Sequence, residues 1–126
     1  MPTPEGVVLA EVIAFCAKVP GLRLTRNMSG TIKARGRVYR FGCFTPGGPD
    51  LLGWYTRNDD GTNFGDLAVF VAIEVKAPGG ADEVHYSKTL LAQRAFLKEA
   101  VAAGCIAGVV HSVEECAALL GLKVNP

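Results

Sequence analysis

Two histidines and four cysteines are too scattered for a zinc site. Cys16, Cys43, Cys105 and Cys116 form no C-x-x-C pair, and only His85 and His111 are left to join them. Neither histidine has ligand spacing to another candidate, so neither is assigned to catalysis. Three of the four cysteines lie in apolar stretches and read as buried thiols. No apolar run approaches the roughly 20 residues of a membrane span. Met1-Pro2-Thr3-Pro4-Glu5 lacks the basic start of a signal peptide, so the expected location is intracellular and cytoplasmic, away from membranes. Asn27-Met28-Ser29 matches a glycosylation sequon, which carries no weight without another sign of secretion. There is no internal repeat, linker or low-complexity segment.

The 126 residues suffice for one domain, 1–126, with a real core. Hydrophobic content of 49% against 20% charged argues for a folded chain. Thr3-Pro4-Glu5 is a helix start, with a capping hydroxyl, Pro at the first helical position and an acid in the first turn. That helix is expected over residues 4–19, ending at Pro20-Gly21. Strands are expected at 23–28 and 36–41 around a turn containing Gly30, then at 50–56 and 67–76 around a polar turn. A second helix is expected from Ser87 or Lys88 to near Gly104, and an apolar strand over 105–110. Ser112-Val113-Glu114-Glu115 reads as a capping box for a last helix that stops at Gly121. The order is α-β-β-β-β-α-β-α. The last strand follows a helical crossover and can pair in parallel, which makes an α/β fold with a mixed sheet flanked by helices.

A net charge of +1 says little, but its distribution says more. Between positions 21 and 40 stand Arg23, Arg26, Lys33, Arg35, Arg37 and Arg40, with no acidic residue. Such a patch suits a phosphate backbone. The plainer reading is a solvated hairpin with basic outward positions.

Two short segments carry the chemistry. Gly47-Gly48-Pro49-Asp50 opens one apolar strand, and Ile73-Glu74-Val75-Lys76 closes another. Side chains alternate along a strand, so Glu74 and Lys76 point the same way. With Asp50 beside them, two carboxylates can hold Mg²⁺ or Mn²⁺, with the backbone carbonyl of Val75 as a natural further ligand. The Lys76 ammonium can orient a water or neutralise developing charge. That set suits phosphodiester hydrolysis. Taken singly, Pro49-Asp50 is an ordinary turn and Glu-Val-Lys an ordinary strand end.

Gln93 shares a helix face with Leu90, Phe96 and Leu97, so its amide needs a polar neighbour, either the site or another core group. Glu11 and Lys18 are seven apart on an otherwise apolar first helix. They form either a solvent stripe or, for Glu11, a carboxylate aimed at the metal.

These residues resemble the VRR-Nuc family, the virus-type replication-repair nucleases, a branch of the PD-(D/E)XK superfamily. The resemblance runs from Glu11 to about Glu115. It rests on Arg26-Asn27-Met28-Ser29-Gly30, Phe41-Gly42, Gly47-Gly48-Pro49-Asp50-Leu51, Ile73-Glu74-Val75-Lys76, Gln93-Arg94-Ala95-Phe96-Leu97, Gly104 and Val109-Val110-His111-Ser112-Val113-Glu114-Glu115. It implies a restriction-endonuclease-like core, metal binding by Asp50 and Glu74, a water-assisting Lys76, and supporting roles for Gln93 and Glu11. It also implies a stand-alone phage or bacterial type that acts as a homodimer on branched DNA. The polar insert at 57–66 departs from the leanest members and is expected to lengthen a hairpin. The leading expectation is a metal-dependent nuclease resolving four-way (Holliday) junctions in DNA repair. The alternatives are a flap or single-strand nuclease or nickase, and a non-catalytic DNA-binding module.

Overall fold

The computed structural model describes residues 3–45, 47–56, 67–79 and 88–122. His85 and the insert at 57–66 lie outside them. Helix α1 spans Pro4–Cys16. Strands β1 (Leu22–Arg26), β2 (Gly30–Ala34), β3 (Arg37–Phe41), β4 (Leu51–Tyr55) and β5 (Val69–Val75) follow. Helix α2 (Lys88–Ala102), β6 (Ile106–Val110) and α3 (Val113–Leu119) complete the order.

The fold is α/β, with a mixed four-stranded sheet ordered β1-β4-β5-β6 and helices on both faces. β1, β4 and β5 run antiparallel, while β6 joins β5 in parallel after the α2 crossover. This is the expected restriction-endonuclease-like arrangement.

One strand more than expected is present. The turn between positions 23 and 41 is centred on Arg35-Gly36, not on Gly30. Gly30 lies inside β2, paired with Phe41. Both turn residues have positive φ, 51° for Arg35 and 74° for Gly36, which is the backbone of a tight two-residue hairpin. Arg at the first of these positions conceals a turn that Asn or Asp would announce. The β2–β3 hairpin is a separate two-stranded sheet, exposed along its whole length.

Alternation along β5 divides the interior. Val71, Ile73 and Val75 face α1 and α3, where Val8, Val12, Cys16, Leu51, Tyr55, Val110, Cys116 and Leu120 form the larger core. Ala72 faces α2 and packs with Leu97, Ala100 and Ala107. Each large apolar side chain so buried contributes about 1.5–3 kcal/mol. The thiols of Cys16 and Cys116 meet at 3.7 Å between α1 and α3; Cys105 is half-buried and Cys43 exposed.

The helix ends obey local rules, with two departures. Thr3 Oγ1 accepts from Gly6 N–H at 3.0 Å, as the capping reading requires. α1 stops at Cys16 rather than 19, because the residue before Pro20 disfavours helical backbone. Ser112 caps α3 by accepting from Glu115 N–H, but the Glu115 carboxylate reaches His111 Nδ1 at 2.9 Å. No described helix is long and apolar enough to cross a membrane.

Candidate active site

The same alternation that buries Ile73 and Val75 on one face turns Glu74 and Lys76 to the other, toward α2. β4 pairs Leu51 with Ile73, and that register extended by one residue sets Asp50 opposite Glu74. Asp50 is fixed there, since its Oδ2 accepts the Val75 N–H at 2.8 Å. Pro49 is fully buried before it, so the strand entry is rigid.

Glu5, in the first turn of α1, completes a carboxylate cluster. Glu5, Asp50 and Glu74 each offer an oxygen within 4.8 Å of the other two. Glu74 is only 2% exposed, and its Oε2 is buried with no hydrogen-bond partner. A buried carboxylate oxygen without a donor is costly. Burial first, then the Asp50 carboxyl through hydrogen bonding and repulsion, pushes the Glu74 pKa up to about 9; Lys76 opposes the rise and Glu5 adds to it. The chemistry of this donor set, hard oxygens crowded together and short of positive charge, fits a divalent cation such as Mg²⁺ or Mn²⁺.

Lys76 stands at the edge of the cluster. Its Nζ is 3.9 Å from Glu74 Oε1 and donates to Gln93 Oε1 at 3.3 Å. The polar neighbour that Gln93 needed on α2 is therefore the Lys76 ammonium.

A clasp around Asn27 holds the Asp50 loop in place. Asn27 Nδ2 donates to the carbonyls of Cys43 and Pro49, each at 2.9 Å. Asn27 Oδ1 accepts from Cys43 N–H at 3.0 Å, and Asn27 N–H donates to the Asp50 carbonyl at 2.8 Å. The two glycines of the loop fit the same packing. A Cβ on Gly48 would collide with the Cys43 carbonyl and the Asn27 amide. One on Gly47, at φ 92°, would lie 2.6 Å from the Ala92 backbone of α2.

Asn27→Ala is expected to lower kcat about tenfold or more with little change in KM, because Asp50 loses its seat rather than the substrate its contacts. A stability loss of about 1–3 kcal/mol should accompany it. Steady-state cleavage and thermal melts check this; an unchanged kcat would leave the clasp a purely structural role.

The structure thus brings together Asp50, Glu74, Lys76 and Gln93, with the Val75 peptide bound to Asp50. It does not bring Glu11 there. Val8, Val12 and Cys16 turn the opposite side of α1 inward, so Glu11 and Lys18 are exposed, as a solvent stripe would be. Glu5 and Asn27 were not singled out from the sequence as site residues. The acid of Thr3-Pro4-Glu5 was visible as a helix-start residue, and Asn27 as part of a motif, but neither position shows what it touches. The basic residues divide. Arg23 and Arg26 belong to β1 in the main sheet, while Lys33, Arg37 and Arg40 lie on the exposed hairpin and Arg35 at its tip.

No curated protein and no solved structure shows significant similarity to the chain. The model of the VRR-NUC domain matches residues 27–114, from the Asn27 clasp to the first turn of α3 and including Asp50, Glu74, Lys76 and Gln93. The chain therefore belongs to the VRR-NUC domain family and is a nuclease of the PD-(D/E)XK type.

Proposed function

We propose that the chain, a single nuclease domain over residues 1–126, hydrolyses phosphodiester bonds in branched DNA with Mg²⁺ or Mn²⁺, and resolves four-way junctions as a homodimer. The observation that carries the metal dependence is the buried, unpartnered Glu74 Oε2 within the Glu5–Asp50–Glu74 cluster. Glu74 and Asp50 hold the cation in this reading, with Glu5 beside them and the Val75 carbonyl as a further ligand. A cation bound there supplies positive charge to the scissile phosphate and makes an attacking water more acidic. Lys76 orients that water or offsets the charge growing on the non-bridging oxygens. Gln93 keeps the Lys76 nitrogen aimed at the site. Asp50, pinned by Val75 N–H, needs little rearrangement before reaction.

Dimerisation follows from the number of cuts. One cluster of this kind is present among the described residues. Resolving a junction requires two symmetric cuts, and a two-fold dimer supplies two sites. The basic hairpin would hold the arms by phosphate contacts, which read shape rather than sequence.

The test is cleavage of end-labelled four-way junction, flap, single-stranded and linear duplex DNA with Mg²⁺, Mn²⁺ or EDTA, alongside the mass of the protein in solution and on DNA. Paired, metal-dependent cuts across the junction by a dimer are expected. Cutting confined to flaps or single strands would keep the chemistry and replace the substrate. A protein monomeric at micromolar concentration and on DNA would remove junction resolution.

A further inference from the structure

We propose that the groove between the β2–β3 hairpin and α2 is a subsite for one backbone phosphodiester of the substrate strand, held chiefly by Arg40 with the hydroxyls of Thr31 and Ser29. This rests on the nuclease reading and adds to it where the strand runs. The groove has a volume of about 310 Å³. Its polar lining is Ser29, Thr31, Arg40, Thr45 and Gln93, with the bare backbone of Gly47 and Gly48 as one wall. None of the described residues lining it is acidic. One guanidinium, three hydroxyls and an amide make a donor-rich, singly charged hollow. That suits the two unesterified oxygens of a phosphodiester, which take bidentate donors from Arg.

Three features tie the groove to the chemistry. Gln93 lines it and also accepts from Lys76 Nζ at 3.3 Å, so the groove opens beside the ammonium of the active site. Cys43, which lines the groove, is clasped through Asn27 to Pro49, next to Asp50. A strand seated on Arg40 is thereby registered against the carboxylates through rigid contacts. The hairpin register supplies the third feature. Thr31 and Arg40 are cross-strand partners and share one face with the Lys33–Val38 pair. Ile32, Tyr39 and Arg37 occupy the other face. Of the three basic residues on the two hairpin strands, Arg40 faces the groove, Lys33 extends the same face toward the tip, and Arg37 points away.

That split separates a site from general electrostatic attraction. Full-length protein carrying Lys76→Ala would be titrated, in EDTA to stop residual cutting, with junctions in which one backbone phosphate at a time is an uncharged methylphosphonate. At one position, neutralisation is expected to weaken binding about tenfold in this parent, and scarcely at all once Arg40→Ala is added. Arg37→Ala should leave that tenfold loss intact. Arg40→Ala should also reduce the slope of log K against log salt by about 1. Thr31→Val should give a smaller loss confined to the same phosphate. If every position costs the same with and without Arg40, or if Arg37→Ala erases the same position, the subsite does not exist. Because the readout is binding, it stands even if no substrate is cut, an outcome that would remove the nuclease reading separately.

Discussion

Lys76→Ala is expected to lower the cleavage rate by about 10²–10³-fold while leaving folding and most DNA binding intact. Removing a single preorganised donor aimed at developing charge typically costs that much. Lys76 is half-buried, and its ammonium makes two polar contacts, to Glu74 and to Gln93. Neither holds the fold together, since the cores on both faces of the sheet are built from other residues. In the proposed mechanism the group acts on the reacting phosphate and not on the arms of the substrate, so the loss should fall in kcat. Asp50→Asn should be as severe for a different reason. An amide oxygen can still accept from Val75 N–H, so the loop keeps its place, but one of the cluster's negative charges is lost to the cation. Single-turnover cleavage together with binding by anisotropy checks both variants. Normal cleavage by Lys76→Ala would falsify the proposed mechanism outright.

The second large effect concerns Glu74 and runs through stability. In metal-free protein its pKa stands at about 9, against the ordinary 4.5 of an exposed carboxyl. Between those values the folded state holds a proton that the unfolded state has released. The contribution of this group is therefore complete below the unfolded pKa and declines as pH rises toward the folded one. The slope is at most about 1.4 kcal/mol per pH unit. In chelator the melting temperature should fall by roughly 3–5 °C per unit between pH 6 and pH 8. Divalent cation acts in the opposite sense. It needs the ionised carboxylate, so it competes with the proton and stabilises more strongly at pH 8 than at pH 6. Glu74→Gln should flatten the metal-free pH dependence, raise the metal-free melting temperature at pH 8 and abolish the rise with Mn²⁺. Melting curves over pH with EDTA, Mg²⁺ and Mn²⁺ measure all three. A melting temperature indifferent to both pH and cation would mean that the cluster is not a metal site.

Much of the candidate site was legible because short-range rules govern it. The period of two along a strand puts Glu74 and Lys76 on one face without knowledge of the fold. The apolar helix face shared by Leu90, Gln93, Phe96 and Leu97 marks Gln93 as an amide with something to answer. The Pro49-Asp50 entry to an apolar run marks Asp50. These positions needed only local geometry and one pairing, β4 beside β5.

Other positions were not legible because their partners are distant in the chain. Glu5 looks like an acid compensating a helix dipole; its place beside Asp50 and Glu74 depends on how α1 packs across the sheet. Glu11 has the same chemistry six residues later, but a helix turns 100° per residue, and the inward position of Val12 leaves Glu11 in solvent. Asn27 reads as a polar loop residue until Cys43 and Pro49 close around it. The basic run reads as one patch, but β-pairing assigns Arg37 and Arg40 to opposite faces of a ribbon.

Local physics was thus enough for the helix starts, the alternation that aims each strand, and the residue types able to hold a cation and assist hydrolysis. Tertiary packing decided the rest. It set Glu5 and not Glu11 beside Asp50 and Glu74, withdrew Glu74 from water and left its second oxygen without a partner, and stood a hairpin beside α2 to make a groove. The reason is one of range. Periodicity fixes direction over a few residues, whereas burial, charge coupling and pKa depend on which segments far apart in the chain are pressed together.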